Sequence, residues 1–266
     1  MFMFSPNNEL IPINNLKKGD DYANSIVHYT SIANLFKILR GKQIKFNRID
    51  NVNDLEEKEL LEFRENYRRV FVACFSKTAS DRIPMWKMYT NKNDGVMIKI
   101  VPFEKSKYKD LLVLDSAVCD NKKIGFGLKN VSLSTEQNWY ARFDAYDVEY
   151  TDDKKTKLST LKVPEEQKTY DIPDYFGRCK NTAWKYEEEF RFRIVLKSIT
   201  HENELQDLHY LFVNINFDKI KRIEITFSPN IDKSDWEDII DDFRIKQDIK
   251  TKFTYRNSRL FGKIKL

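Results

Sequence analysis

Apolar residues along this chain fall into runs with two kinds of spacing, and each kind predicts a different element. The clearest helical run begins after Ser31, whose hydroxyl suits an N-cap, and stops near Gly41, where a helix end favours a left-handed residue. Its apolar positions recur every three or four residues and are Ile32, Leu35, Phe36 and Leu39. The spacing predicts an amphipathic helix between Ser31 and Gly41.

Continuous or alternating apolar runs predict most of the strands. They cover residues 26–29, 44–46, 70–75, 96–101, 111–114, 147–150, 189–196, 210–215 and 223–227, and two further short strands close the chain. Helical patterns lie at 55–68, around 85–89, after Pro173 and beyond Ser234, which suits a second N-cap. Because helices and strands do not strictly alternate, the predicted fold class is α+β, with a mixed or largely antiparallel sheet and packed helices.

The length and composition of the chain indicate how many domains it forms. Aromatic residues make up 14% of the 266 residues, more than a disordered chain would contain. We predict a single α+β domain over residues 1–266, with 1–24 as a peripheral lead-in and 104–168 as an elaboration on the core.

Charge and residue usage narrow the function classes. The net charge of +5 arises from 46 basic and 41 acidic residues, a near-balance that does not indicate a dedicated nucleic-acid binder. The three cysteines are far apart and the three histidines form no ligand pattern, so no metal site or disulfide framework is expected. The N-terminus lacks the features of a signal peptide and no stretch resembles a membrane span. A cytoplasmic protein without a membrane partner is therefore expected.

The densest group of candidate residues surrounds the predicted strand 189–196. Alternation along a strand places Phe190, Phe192, Ile194 and Leu196 on one face and Glu187, Glu189, Arg191 and Arg193 on the other. The charged face admits two interpretations. It can be a solvated surface on which Glu and Arg side chains pair. It can also be a site, since Glu-x-Glu offers one carboxylate to hold a sugar hydroxyl and another to stabilise or deprotonate a reacting group.

Two further groups of residues are candidates. His28-Tyr29-Thr30 ends a predicted strand just before a helix N-terminus, where phosphate is readily held, and the imidazole of His28 can donate to a ribose hydroxyl. Ser76 follows a buried strand, and Trp86 and Tyr89 share one face of a helical turn. The alternative for the two aromatic residues is that they only fill the core.

Together these segments resemble the bacterial domain-of-unknown-function family numbered 2971. The resemblance covers roughly residues 26–200, and its most specific part is the motif from Trp184 to Arg191. The further segments that carry it are His28-Tyr29-Thr30, Asn53-Asp54 with Glu56 and Glu57, Cys74-Phe75-Ser76, Met85-Trp86 with Tyr89, and Gly95-Val96. Leu55 departs from the pattern, because the family often has Pro there.

The same order of motifs is similar, more loosely, to ADP-ribosyltransferases, which bind NAD in a cleft between two small sheets. This resemblance implies NAD as a small-molecule nucleotide substrate and a macromolecule as acceptor. It also implies split sheets, a glycosyltransferase that moves ADP-ribose, and a role as a toxin or phage-defence effector.

The resemblance implies roles for individual residues. Glu189 would hold the nicotinamide ribose and stabilise an oxocarbenium ion, and Glu187 would orient the acceptor. His28 would hold the adenine-side ribose, with Tyr29 or Thr30 holding neighbouring groups. Trp86 or Tyr89 would stack on nicotinamide, and Ser76 completes the predicted cofactor-binding set.

Two other classes of function remain open from the sequence. Asp54, Glu187 and Glu189 are oxygen ligands of the kind that gather Mg²⁺ in a metal-dependent nuclease or phosphodiesterase. The motifs can also stabilise a non-catalytic domain that binds a ligand or a partner.

Overall fold

A computed structural model describes most of the chain. It describes residues 2–4, 10–12, 25–54, 67–78, 80–90, 94–103, 107–119, 122–125, 139–153, 177–198, 207–264 and 266. The predicted helix 55–68 and the segment after Pro173 lie largely or wholly outside these ranges.

The described strands are numbered in chain order. They are β1 Phe2–Phe4, β2 Leu10–Pro12, β3 Ile26–Ser31, β4 Gln43–Arg48, β5 Val70–Ser76, β6 Gly95–Pro102, β7 Leu112–Cys119, β8 Lys122–Gly125, β9 Trp139–Asp147, β10 Glu149–Tyr150, β11 Cys179–Lys180, β12 Glu189–Ser198, β13 Tyr210–Ile215, β14 Ile220–Phe227 and β15 Lys252–Asn257. The described α-helices are α1 Ile32–Gly41, α2 Ile83–Tyr89 and α3 Glu237–Lys246.

Most predicted elements are present, several of them with different ends, whereas β1, β2, β8, β11 and nearly all of β9 were not predicted. Ser31 caps α1 as predicted, with its hydroxyl accepting from the Asn34 amide at 3.1 Å, but the left-handed residue is Lys42 rather than Gly41. Ser234 is not an N-cap, because it lies in a short 3₁₀ helix, Lys233–Asp235, and α3 starts at Glu237. A single described strand, β15, stands where two short ones were predicted.

One large sheet organises the described residues. Its strand order is β15-β14-β6-β3-β5-β4-β13-β7-β8, and β12 joins it on β5 and carries β9 on its far edge. Pairing is antiparallel except between β14 and β15. Two separate two-stranded sheets, β1-β2 and β10-β11, complete the described strands. The predicted α+β class with a mixed, largely antiparallel sheet is thus confirmed.

The main hydrophobic core lies on one face of this sheet, beneath α1 and α3. Leu35 and Leu39 of α1 and Ile240 of α3 are buried against the alternating apolar residues of the strands. Phe36 of α1 packs edge-on against Phe243 of α3, with ring centroids 5.0 Å apart, so the two helices also contact each other. None of the described helices is long and apolar enough to cross a membrane.

The strands beside β5 separate into a fork. One edge of β5 pairs continuously with β12, from Glu189↔Ser76 to Val195↔Val70. Its other edge pairs with β3 only at Ser76 and with β4 only at Phe71 and Val72. Residues 73–75 therefore lie between two diverging strands, and the sheet opens there. This opening positions the cleft described below.

The core face predicts a stability test at Phe192. This ring is 1% exposed and packs against Phe75 at 5.3 Å and Phe143 at 5.8 Å between centroids. We expect Phe192→Ala to lower the free energy of unfolding by about 3–5 kcal/mol, because the truncation leaves a cavity. Urea denaturation measures it, with Phe103→Ala as the matched control, since that ring is 49% exposed. Equal losses in both variants would contradict this assignment of the core.

Candidate functional site

A cleft of about 360 Å³ opens over the fork, on the sheet face opposite the main core. The strands of its floor are β3, β4, β5 and β12. Its walls are helix α2, strand β11, the 3₁₀ helix Thr182–Glu187 and residues 51–53, of which Asn51 ends the 3₁₀ helix Ile49–Asn51. Residues that line it and concern its chemistry are Val27, His28, Tyr29, Lys45, Asn47, Asn51, Val52, Asn53, Val72, Cys74, Ser76, Met88, Tyr89, Lys180, Glu187, Glu189 and Arg191. Its volume lies within the range of small-molecule sites, about 300–1,000 Å³.

Glu189 is held on the floor of this cleft by two cations. Arg191 forms a bidentate ion pair with it: Arg191 Nε lies 2.6 Å from Glu189 Oε1, and Arg191 Nη2 lies 3.2 Å from Glu189 Oε2. The Lys180 ammonium lies 2.9 Å from Oε2. All three side chains are at most 4% exposed, so the solvated-face interpretation of this strand is wrong. Glu189 is a buried, paired carboxylate.

Glu187 is the second carboxylate of the site, but it does not lie on the strand as alternation predicted. It ends the 3₁₀ helix Thr182–Glu187, and Glu188 then adopts a left-handed backbone conformation before β12 begins. The reversal brings both carboxylates to one ammonium, because Lys180 Nζ also contacts Glu187 Oε2 at 2.7 Å. The Tyr89 hydroxyl donates to the other oxygen, Oε1.

The two carboxylates differ in their ease of ionisation. Burial raises the pKa of Glu187 above its usual range, Lys180 offsets part of that rise, and the charge of Glu189 adds to it. Burial acts on Glu189 as well, but the charges of Arg191 and Lys180 outweigh it and hold the pKa of Glu189 well below its usual range. The site therefore pairs a firmly ionised carboxylate with one that retains a proton more readily.

Hydrogen bonds with backbone groups hold the Glu189–Arg191 pair in place. The carbonyl of Gly177 accepts from Arg191 Nη1 at 2.7 Å and from the Tyr146 hydroxyl at 3.1 Å. Gly177 has a φ of +77°, and a Cβ there would lie 2.5 Å from the Ile49 side chain, so only glycine fits this approach. The Glu189 amide donates to the Tyr150 hydroxyl at 2.8 Å. These contacts hold Arg191 and Glu189 in one position.

The imidazole of His28 lies in the fork itself, in mid-strand and not at the helix N-terminus as predicted. Its Nδ1 is 3.2 Å from the Cys74 carbonyl, an oxygen that only accepts, so Nδ1 carries the proton. Burial lowers the pKa of His28, although the bond to Cys74 opposes this, so the ring is neutral near pH 7. Nε2 is then an acceptor. A ligand hydroxyl would donate to it, the reverse of the polarity predicted.

The other predicted site residues divide into two groups. Tyr29, Ser76 and Tyr89 join His28, Glu187 and Glu189 in lining the cleft. Ser76 donates to the Glu187 carbonyl at 2.6 Å, which ties β5 to the 3₁₀ helix.

Thr30 and Trp86 are not among the residues lining the cleft. Thr30 is buried and accepts from the Asn34 amide group at 3.2 Å. Trp86 is fully buried behind the wall, edge-on to Tyr29 at 5.0 Å between centroids. Of the two aromatic candidates for stacking, Tyr89 alone therefore has access to a ligand.

Several residues that line the cleft were not predicted from the sequence. Lys180 joins the two carboxylates, yet nothing in its local sequence distinguishes it from the other lysines. Asn47, Asn51 and Asn53 line the opposite end of the cleft, and alternation along β4 was a usable signal for Asn47 alone.

The three carboxylates named for the nuclease alternative do not all lie in the cleft, and that alternative stays a prediction. Within the part of the chain that the structure describes, no three His, Cys, Asp or Glu side chains form a group that could hold a metal ion. Asp54 is buried and not among the cleft-lining residues, and Glu187 and Glu189 already share Lys180.

Fold and site together define an α+β protein with a forked, mostly antiparallel sheet and a buried carboxylate–ammonium cluster in its cleft. The family described as "Protein of unknown function (DUF2971)" has a model that matches residues 85–192. This span includes Tyr89, Lys180, Glu187, Glu189 and Arg191, so the first resemblance is confirmed over a shorter range than predicted. No curated protein and no solved structure matches the chain. The looser resemblance to ADP-ribosyltransferases stays a prediction.

The raised pKa of Glu187 predicts a specific pH dependence. The pKa of Glu187 in the unfolded chain is about 4.3. Between this pH and the higher pKa of the folded protein, Glu187 ionises more readily in the unfolded chain, so the stability of the wild type falls as the pH rises. Glu187→Gln cannot ionise, so its stability relative to the wild type should rise with pH through this window and then level off. The rise should be about 1.4 kcal/mol for each unit by which folding raises the pKa. Urea denaturation between pH 4 and 8 measures it.

Glu188→Gln is the matched control, because Glu188 is exposed and adjacent in sequence. Its stability relative to the wild type should change little over the same range. A flat difference for Glu187→Gln would show that the Glu187 pKa is not raised.

Proposed function

We propose that the cleft binds NAD and transfers its ADP-ribose to an acceptor. The observation that supports this best is the pair of buried carboxylates bridged by Lys180 on the floor of a cleft large enough for part of a dinucleotide. Two adjacent carboxylates with pKa values displaced in opposite directions suit a reaction at a sugar carbon, where one stabilises positive charge and the other moves a proton.

Glu189 is the group that would stabilise the breaking glycosidic bond. The bond between the nicotinamide nitrogen and ribose C1′ breaks, both electrons stay with nicotinamide, and nicotinamide leaves as a neutral molecule. Positive charge then develops on the ribose ring. A carboxylate that stays ionised and is fixed by Arg191 and Lys180 stabilises that charge without having to reorganise.

Glu187 would take the proton of the acceptor. A nucleophilic acceptor group forms the new bond to C1′ and loses its proton to the Glu187 carboxylate, whose raised pKa makes it a better base than an ordinary glutamate. The Tyr89 hydroxyl keeps its own proton, because burial and then the charge of Glu187 raise its pKa. It therefore holds Glu187 by donating to it, and its side chain lines the cleft.

His28 would bind the ribose on the adenine side. Nε2 of the neutral ring accepts from a ribose hydroxyl, while Nδ1 stays bonded to the Cys74 carbonyl. Tyr29 lines the cleft beside His28 on β3, and Ser76 lines its carboxylate end, opposite Glu189. Thr30 and Trp86, which are buried, would act by keeping β3 and α2 in place.

The resemblance to ADP-ribosyltransferases extends this proposal to a biological setting. We propose a cytoplasmic enzyme that acts as a toxin or phage-defence effector by modifying a macromolecular acceptor. Cys74, Cys119 and Cys179 are all free thiols, as is usual for proteins of a reducing compartment.

The test compares NAD binding with turnover. In Glu189→Gln we expect nicotinamide release to fall by two to three orders of magnitude with little change in NAD affinity, because the amide keeps the shape and loses the charge. In His28→Ala we expect weaker NAD binding and a smaller change in kcat. Isothermal calorimetry and a nicotinamide-release assay measure both.

Controls separate catalysis from folding. Glu189→Gln leaves buried cations without a full partner, so circular dichroism and Tm must show that the variant is folded at the assay temperature. Glu188→Gln should retain wild-type turnover. If the wild-type protein shows no NAD affinity at millimolar concentration, the proposed function is wrong, and metal-dependent cleavage or non-catalytic binding takes its place.

A further inference from the structure

The end of the cleft away from the carboxylates has a different chemistry. Its lining residues are Asn47 of β4, Asn51 at the end of the 3₁₀ helix Ile49–Asn51, and Val52 and Asn53 just after it, with Val72 of β5 beside them. None of these side chains carries a charge. Three primary carboxamides next to two branched apolar side chains form a surface that is both polar and able to pack against a flat ring.

The two ends are far enough apart to hold two halves of one ligand. Register places Glu189 opposite Ser76 and Asn47 opposite Val72, so the ends are four residues apart along β5. At the rise of a β-strand this separation is about 13 Å. His28 lies in the fork between them, opposite the middle of this stretch, at Cys74. A ligand that reaches both ends therefore spans the part of the cleft that His28 lines.

Two of the three carboxamide groups form no hydrogen bond with a residue that the structure describes. Asn51 is turned toward the His209 carbonyl, with Nδ2 at 3.5 Å. The side chains of Asn47 and Asn53 form no hydrogen bond with any residue that the structure describes, although both line the cleft. A carboxamide offers a donor and an acceptor side by side, which match the N6 amino group and N7 of adenine in two parallel hydrogen bonds.

We propose that this end of the cleft is an adenine-binding subsite, in which Asn47 and Asn53 hydrogen-bond the base and the half-buried Val52 packs against one of its faces. Lys45, two residues before Asn47 on β4, also lines the cleft, with its ammonium 4.6 Å from the centre of the Tyr210 ring, and its charge suits a phosphate next to the base. If the ligand is NAD, this assignment rests on the proposed function. If the ligand is another adenine nucleotide, the assignment is independent of the proposed function.

Calorimetry with three probes tests the subsite: AMP, which carries the base; nicotinamide mononucleotide, which lacks it; and NAD, which carries both halves. In Asn47→Ala and in Asn53→Ala we expect the affinities for AMP and NAD to fall about tenfold, with the affinity for nicotinamide mononucleotide unchanged. Asn214→Ala is the matched control, because this exposed asparagine lies on β13 and bonds Gln43 at 2.9 Å. It should bind all three probes like the wild type.

The outcomes separate this proposal from the proposed function. AMP binding that depends on Asn47 and Asn53, without nicotinamide release from NAD, would keep the subsite and overturn the transferase. Nicotinamide release with AMP binding that is insensitive to both variants would keep the transferase and overturn the subsite. Absence of AMP binding to the wild type at millimolar concentration overturns the subsite, and so does an equal loss of affinity for all three probes.

Discussion

The buried ion pair between Glu189 and Arg191 is the interaction on which the candidate site depends. Both side chains are almost fully buried, and each would be strongly destabilising there without the other. Lys180 extends the pair to Glu187, so two carboxylates and two cations neutralise one another in a small volume. A charged cluster of this kind has few alternative arrangements, which fixes the carboxylates relative to the cleft.

The fork in the sheet is the second constraint. A strand with two continuous neighbours would leave no opening between β3 and β4, and His28 would simply pack against the next strand. Because β5 pairs with β3 at one end and with β4 at the other, the backbone between them faces a cleft. The His28 imidazole satisfies the Cys74 carbonyl there, so in this gap a side chain takes the place of the missing strand as hydrogen-bond partner.

Burial changes the electrostatic behaviour of the charged face of β12. In water, Glu and Arg side chains in a row would pair weakly and exchange partners. Under Gly177, Lys180 and the 3₁₀ helix Thr182–Glu187, the same row becomes a fixed set of charges in a medium where each interaction is stronger. The opposite displacements of the two glutamate pKa values follow from which cations each one contacts.

The sequence by itself determined the α+β class, the capped helix after Ser31, the apolar face of β12 and the segments that hold His28, Tyr89, Glu187 and Glu189. Those features follow from local spacing and propensity, which a sequence displays directly. Only the tertiary structure decided that the charged face is buried, that Lys180 joins the carboxylates, that Trp86 lies behind the wall and that three asparagines line the far end. Each of these depends on contacts between segments far apart in the chain, and neither Lys180 nor the loop asparagines carry a periodic signal that would reveal such contacts.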